Sequence, residues 1–422
     1  MLARFSLYGF LKNQRYFEAF LVLILLEKGF SFFLIGLLIG FRELVVNLLE
    51  IPSGAAADVW GKRSSMLLSY GAYIASFLVF GFAEDAPWIF GAMLLYAVGD
   101  SFRSGTHKAL IFVWLQREGR EAEKTRIYGF TRSWSKFGSA LSVLVAAGIV
   151  YAGGRFSTLF FASVVPAVLG AINLLGYPRE LDPPRAADAP RRSVGAIGRH
   201  MLETLRTSLR SRPLRRLMAE SLGFEGAFHA TKDYLQPALM ALAVGAAGAG
   251  VAAATGTEES AAEAARTALF VAPVYFVLFL GAAAASRRAH VLPERLGGEE
   301  RAAGVLWGVA ALVFTALWAG AVLDLQVLLI VAFVVLHLLQ NLWRPVLISR
   351  FHDHAGGASM ATVLSIESQA KRIGTMVLAP VCGLAVDAAT VAGGPVQLWP
   401  IGVLGLLVAI VFFTTRPRAS GA

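Results

Sequence analysis

The segment Gly54-Ala-Ala-Ala-Asp58-Val59-Trp60-Gly61-Lys62-Arg63-Ser-Ser-Met66 is a polar hinge between two long apolar runs. Gly54 is placed to let helices approach closely. Asp58 falls at a helix end, where a carboxylate needs a cation or a helix N-terminus as partner. Gly61 is placed to turn the chain, since glycine takes positive φ without strain. Lys62 and Arg63 hold the connection in the cytoplasm, because loops on that side retain basic residues. Upstream the apolar run covers 34–57 and downstream 64–83. Each suffices for a helix to cross a hydrocarbon core of about 30 Å.

The rest of the chain repeats this pattern. Of 422 residues, 56% are hydrophobic and 16% charged, against about 25% charged in soluble domains, and the mean hydropathy is +0.63. A large soluble enzyme and a disordered chain are excluded. A transmembrane barrel needs strands of about 10 alternating residues, whereas these runs are continuous and rich in Leu, Ala and Val. Apolar stretches between charged or Gly/Pro punctuation predict twelve helical spans at 5–26, 34–57, 64–83, 87–115, 126–151, 155–177, 213–242, 264–285, 302–322, 324–349, 360–388 and 396–415. The first is the weakest by hydropathy, with Lys12, Asn13, Gln14, Arg15 and Glu18 inside it. The lone Cys382 excludes an intrachain disulfide, and the polar LKNQRYFE stretch (11–18) argues against a cleavable signal. The net charge of +10 would raise nucleic acid as a partner of a soluble protein. Here it is assigned to loops, and no nucleic acid is expected.

Segment 178–216 holds ten arginines against four acids and sets the orientation. Lys62/Arg63, Arg117, Arg120 and Lys124, Arg287, Arg288, Arg295 and Arg301, and Arg416/Arg418 fall on its side if both termini are cytoplasmic. The expected organisation is an N-terminal six-helix bundle over 1–177, a cytoplasmic linker over 178–212, and a C-terminal six-helix bundle over 213–422. A weak repeat supports the division. GFTRSWSKFGSALSVLVAAG (129–148) lines up with VLSIESQAKRIGTMVLAPVCG (363–383), placing Gly138 on Gly374, Lys136 on Arg372 and Ser139 on Thr375, with Phe102-Arg103 matching Trp343-Arg344 upstream. Two repeated six-helix halves with the site between them are a transporter plan.

The hinge resembles the G-x-L-a-D-r-x-G-r-k-x-x-l motif of the major facilitator superfamily, at the place where that family carries it. LLEIPSG (48–54), just before it, is similar to drug-transporter-type bacterial members. The resemblance implies an all-α polytopic membrane protein, with twelve transmembrane helices in two pseudo-repeated six-helix bundles. It further implies a monomeric transporter of the cell membrane rather than an enzyme. In that family the motif is understood as a cytoplasmic latch for the outward-facing state, so the implied gating role passes to Gly54, Asp58, Gly61, Lys62 and Arg63. Val59 departs from the motif's basic residue. The second-half loop SRRAHVLPERLGG (286–298) keeps arginines but loses the G-x-x-x-D core. The fifth span lacks the antiporter-type Gly-Pro signature, which argues against obligatory exchange.

Ionisable side chains at membrane depth cost at least about 2.5–3.5 kcal/mol each, so each should face a partner or a water-filled cavity. Asp100, Arg103 and His107 share one stripe of the fourth span, and Glu43, Asn47 and Glu50 one stripe of the second. The seventh span offers Glu225, His229, Lys232 and Asp233. The tenth offers His337, Gln340, Asn341 and Arg344, and the eleventh Glu367, Lys371 and Arg372. Counting from the span ends at about 1.5 Å per residue puts Arg15, Glu18, Glu43, Asn47, Asp100, Arg103, Glu225, His229, His337 and Asn341 near the midplane. His107, Arg344, Glu367, Lys371 and Arg372 lie nearer the cytoplasm. Asp100 with Arg103 fits an intrahelical ion pair as well as a binding site, and His337 fits a packed core histidine as well as a ligand. Arg132 and Lys136 read better as residues snorkelling to lipid headgroups.

The midplane set, with His107 and Arg344, is the candidate substrate and proton site. It predicts a secondary transporter of a small anionic or amphipathic organic molecule. Glu43, Asp100, Glu225 or His229 would exchange protons, the expected coupling ion, and Arg15 or Arg103 would engage the anionic group. Val59 and the altered second-half loop favour the alternative of a non-transporting sensor or scaffold, and an uncoupled uniporter is another. No metal is expected, because His352 and His354 lie in a short loop without a third ligand. No cofactor is expected either: there is no P-loop, and GAAGAGVAAATGTEES (245–260) reads as an external loop.

Overall fold

The computed structural model describes residues 1–103, 106–153, 155–181, 199, 206, 209–246, 257–354, 360–392 and 394–415. The described chain is built of α-helices joined by short turns. It begins with α1 (Leu2–Leu11), a 3-10 turn Glu18–Phe20, α2 (Leu21–Glu27), α3 (Phe32–Trp60) and α4 (Lys62–Phe82). There follow α5 (Ala86–Arg103), α6 (Thr106–Arg117), α7 (Lys124–Gly153) and α8 (Thr158–Leu175). The later part comprises α9 (Arg212–Glu220), a π-turn Ser221–Glu225, α10 (Gly226–Thr231), a 3-10 turn Lys232–Tyr234 and α11 (Leu235–Ala246). It ends with α12 (Thr257–Arg288), α13 (Val291–Leu296), α14 (Glu299–Val322), α15 (Gln326–His354), α16 (Met360–Ala389) and α17 (Trp399–Thr414).

Among the described residues eight helices are long and apolar enough to cross a membrane, and α17 is a shorter apolar one. Of the other three predicted spans, the first and the seventh are broken, which corrects their reading as single helices. The first is α1 and α2 with an irregular stretch between. The fourth is described as α5 and α6, and residues 104 and 105 between them lie outside the described residues. The seventh carries the π-turn and a 3-10 turn. Polar residues gather at both breaks, and freed backbone groups at membrane depth need such partners. His352 and His354 end α15 instead of standing in a loop, and Thr257–Ser260 begin α12 instead of closing one. The linker reading over 178–212 falls mostly outside the described residues.

The chain forms two compact units, Met1–Ile24 with Leu44–Gly198 and Ala252–Phe279, and Leu25–Glu43 with Arg199–Val251 and Leu280–Ala422. In the first, α1 packs on α7, and α4 packs on α5 and α8; in the second, α10 packs on α16, and α14 packs on α15 and α17. Counted by spans, this is one pairing scheme used twice. The aligned glycines show it in detail. A Cβ on Gly138 would meet Phe10 O at 2.7 Å, and one on Gly374 would meet Gly226 Cα at 3.1 Å. Matching helices thus approach at matching glycines.

Arginines close the last helix of each half. Arg63 donates to Leu174 O at 3.2 Å and Leu175 O at 2.5 Å, and Arg4 donates to Gly176 O, at the C-terminus of α8. Arg216 donates to Phe412 O at 2.8 Å and Thr415 O at 3.0 Å, at the end of α17. Carbonyls left without helical partners are satisfied in this way. In the second unit, α3 and α16 meet backbone to backbone: Gly36 lies against Ala379, Gly40 against Met376, and Gly383 against Phe32. Asp387 caps α3 there, accepting from Phe32 N at 3.0 Å and Phe33 N at 2.7 Å.

Candidate functional site

The first cluster lies where the first span breaks. Asn13 donates to Ser135 O at 2.5 Å and Ser139 Oγ at 3.0 Å, and Gln14 donates to Gly138 O at 2.9 Å. Both amides brace the break against α7 and leave Arg15 aimed the other way. The Arg15 guanidinium donates to Tyr96 Oη, to Tyr73 Oη at 3.0 Å and to Asp100 Oδ1 at 3.3 Å. It also lies 4.9 Å and 5.1 Å from the Tyr73 and Tyr96 ring centroids, within cation–π range. Arg103 donates to the same Asp100 Oδ1 at 3.1 Å and to Tyr73 Oη at 2.9 Å. Tyr73 in turn donates to Asp100. One carboxylate therefore holds two arginines through a shared oxygen. The exposures of 12%, 11% and 21% for Arg15, Asp100 and Arg103 show a cluster largely withdrawn from solvent.

The second cluster follows the π-turn. Glu225, only 1% exposed, accepts from Gln340 Nε2 at 3.2 Å and lies 3.7 Å from His229 Nε2. Glu367, fully buried, accepts a two-pronged bond from Arg344 at 2.5 and 2.7 Å and one from Ser221 at 2.5 Å. Glu43 meets Arg372 at 3.0 Å and Arg42 at 3.8 Å. The two buried glutamates thus differ in kind. Glu367 is committed to a guanidinium, whereas Glu225 faces an amide and an imidazole.

The remaining predicted residues fall elsewhere. His107 stacks on Tyr8 at 3.7 Å and hydrogen bonds Tyr177 Oη at 3.1 Å, as part of an aromatic core with Phe5. His337 donates to Phe333 O at 2.8 Å and Asn341 to His337 O at 2.9 Å, so both are satisfied within α15. Glu18 is exposed in its 3-10 turn, and Asn47 is half-buried one turn beyond Glu43. In the hinge, a Cβ on exposed Gly54 would meet nothing within 4 Å, which corrects the close helix approach expected there. The position faces open space, and its neighbours leave nothing to approach. Gly61 has φ of 94°, a conformation that strains any residue with a Cβ. Lys62 starts α4, Arg63 is spent on α8, and the Asp58 side chain lies outside the described residues.

Sequence reasoning missed Tyr73 and Tyr96, whose hydroxyls complete the first cluster. It missed the π-turn, which presents both Ser221 and Glu225. It also missed Arg350, 3% exposed, which joins Glu220 at 2.6 Å and Glu300 at 2.8 Å and ties α9 and α14 to α15. A signal was available for the last: Arg350 is an arginine six residues beyond Arg344, directly after the predicted tenth span.

A family description, Major Facilitator Superfamily, matches residues 13–379. Over 105 residues the chain is 30% identical to the uncharacterized MFS-type transporter YxaM of Bacillus subtilis (strain 168), covering 25% of each chain. Over 132 residues it is 30% identical to the vesicular acetylcholine transporter of Rattus norvegicus, covering 31% of this chain and 24% of that one. The matches thus span about a quarter of the length of these curated relatives. A crystal structure of the nucleoside transporter NupG aligns with TM-score 0.76 at 12% identity, covering 98% of both chains. That of a D-xylose-proton symporter aligns with TM-score 0.66 at 13% identity, covering 100% of this chain and 98% of the other. At such identity the likeness speaks to fold alone.

Proposed function

Because this chain belongs to the major facilitator superfamily, it is a multi-pass membrane transporter and not an enzyme, and we propose that it moves a small organic anion by proton-coupled secondary transport in the cell membrane. The observation that carries this reading is the sharing of Asp100 by Arg15 and Arg103. Two permanent cations against one carboxylate leave a positive charge that a substrate oxyanion neutralises. Arginine forks suit that task, since they bind carboxylate or phosphate by two parallel bonds. Tyr73 and Tyr96 set the guanidinium planes before substrate arrives, which limits the ordering cost of binding.

Glu225 is the proton carrier in this reading. A buried carboxyl facing an amide and an imidazole, with no cation in hydrogen-bond contact, is free to gain or lose a proton, and His229 one turn away is positioned to pass it on. Glu367 and Glu43, each held by an arginine, keep structural roles. The test is uptake of radiolabelled organic acids into proteoliposomes under an imposed pH gradient. Arg103→Gln is expected to abolish uptake. Glu225→Gln is expected to remove the response to the gradient while counterflow persists. Uptake indifferent to the gradient, with Glu43→Gln and Glu225→Gln both unchanged, overturns the coupling.

A further inference from the structure

We infer that Asp100 sets the valence of the substrate: the site takes a singly charged oxyanion, such as a carboxylate, sulfonate or sulfate ester, and rejects a doubly charged one such as a phosphate monoester. This rests on the anion reading above and narrows it. Arg15 and Arg103 each pair with Asp100, and with no other carboxylate among the described residues. Their remaining hydrogen-bond partners are the phenol hydroxyls of Tyr73 and Tyr96. Lys12, the cation nearest in sequence, lies 5.7 Å from the Tyr8 ring centroid and hydrogen bonds to none of the three.

Two guanidinium charges against one carboxylate leave a single positive charge, at a depth where charge without a counterion is costly. A singly charged oxyanion completes the balance. A doubly charged one overshoots it and leaves a negative charge in the same place. Donors for the oxyanion are present without displacing Asp100. A guanidinium has five N–H donors; Arg103 spends Nε on Tyr73 and Nη2 on Asp100, and Arg15 spends Nη1 on Tyr96 and Nη2 on Tyr73 and Asp100. Arg103 Nη1 and Arg15 Nε thus keep donors without a partner among the described residues, and neither atom is sealed from solvent. Asp100 meanwhile accepts from Arg15, Arg103 and Tyr73 on one oxygen, Oδ1. A carboxylate held by three donors stays with its arginines when the substrate arrives, so its charge counts in every binding event.

The experiment measures binding of phenyl sulfate and phenyl phosphate to the purified full-length protein in detergent, at a pH where the phosphate ester is doubly charged. The two probes share shape and oxygens and differ in charge. Wild type is expected to bind phenyl sulfate about tenfold more tightly or better. Asp100→Asn keeps the size and the acceptor oxygen but removes the charge, and should reverse the order, with phenyl phosphate bound about threefold more tightly or better. Asp100→Glu should keep the wild-type order. Where Asp100→Asn does not fold, the wild-type ratio decides alone. A wild-type preference for phenyl sulfate below about twofold, or one untouched by Asp100→Asn, overturns the inference. If both probes bind equally and Arg103→Gln removes both, the anion reading stands and only the valence assignment falls. If neither probe binds, both fall together.

Discussion

Glu225 and Glu367 lie on neighbouring elements of one unit, and sequence alone reads them as equivalent acids. Their contacts separate them. Removing the carboxylate of Glu367 leaves the half-buried Arg344 without its two-pronged partner, and an orphaned charge costs stability in proportion to its burial. Glu367→Gln should therefore lower the melting temperature in detergent markedly, whereas Glu225→Gln, which keeps an amide partner in Gln340, should cost less than about 1.5 kcal/mol. Equal melting temperatures for the two variants would refute the distinction. The ionisable residues of the site were legible because charge in an apolar run is conspicuous. Tyr73 and Tyr96 were not, since tyrosine in a membrane helix reads as packing until its hydroxyl is seen on an arginine. Gly54 shows the converse. A motif glycine invites a tight contact, and the space around it is open.

Among elements, the breaks matter more than the spans. Hydropathy finds apolar length, but it averages over the few residues that interrupt a helix, so the first and seventh spans read as continuous. Where they break, backbone or side chains gather the polar groups of both clusters. The π-turn is the clearest case: an extra residue in one turn sets Ser221 toward Glu367 and Glu225 toward Gln340. π-turns of this kind occur often at functional sites. Deleting Leu222, which is 39% exposed, should restore plain α geometry and remove the widened turn that sets Ser221 and Glu225. The expected result is a protein that still inserts and expresses but loses gradient-driven uptake. Retention of full uptake would show that the turn has no bearing on transport.

For the whole molecule, composition sufficed for the class and the repeated glycines foreshadowed the internal symmetry. The pairing of α1 with α7 and of α10 with α16 follows from aligned positions already visible at Gly138 and Gly374. Orientation rests on arginine placement alone. Reporter fusions at either end should give a fluorescent cytoplasmic protein and an inactive periplasmic phosphatase; an active phosphatase at either terminus would reverse the assignment. The junction of α3 with α16 has one more implication. Its surfaces are bare backbone at Gly36, Gly40 and Gly383, with carboxylates at Asp387 and Glu43 fastening the two helices together. Interlocked side chains must change rotamer before they part, but smooth surfaces need only lose contact. A seam of this kind can part and re-form without any side chain having to repack.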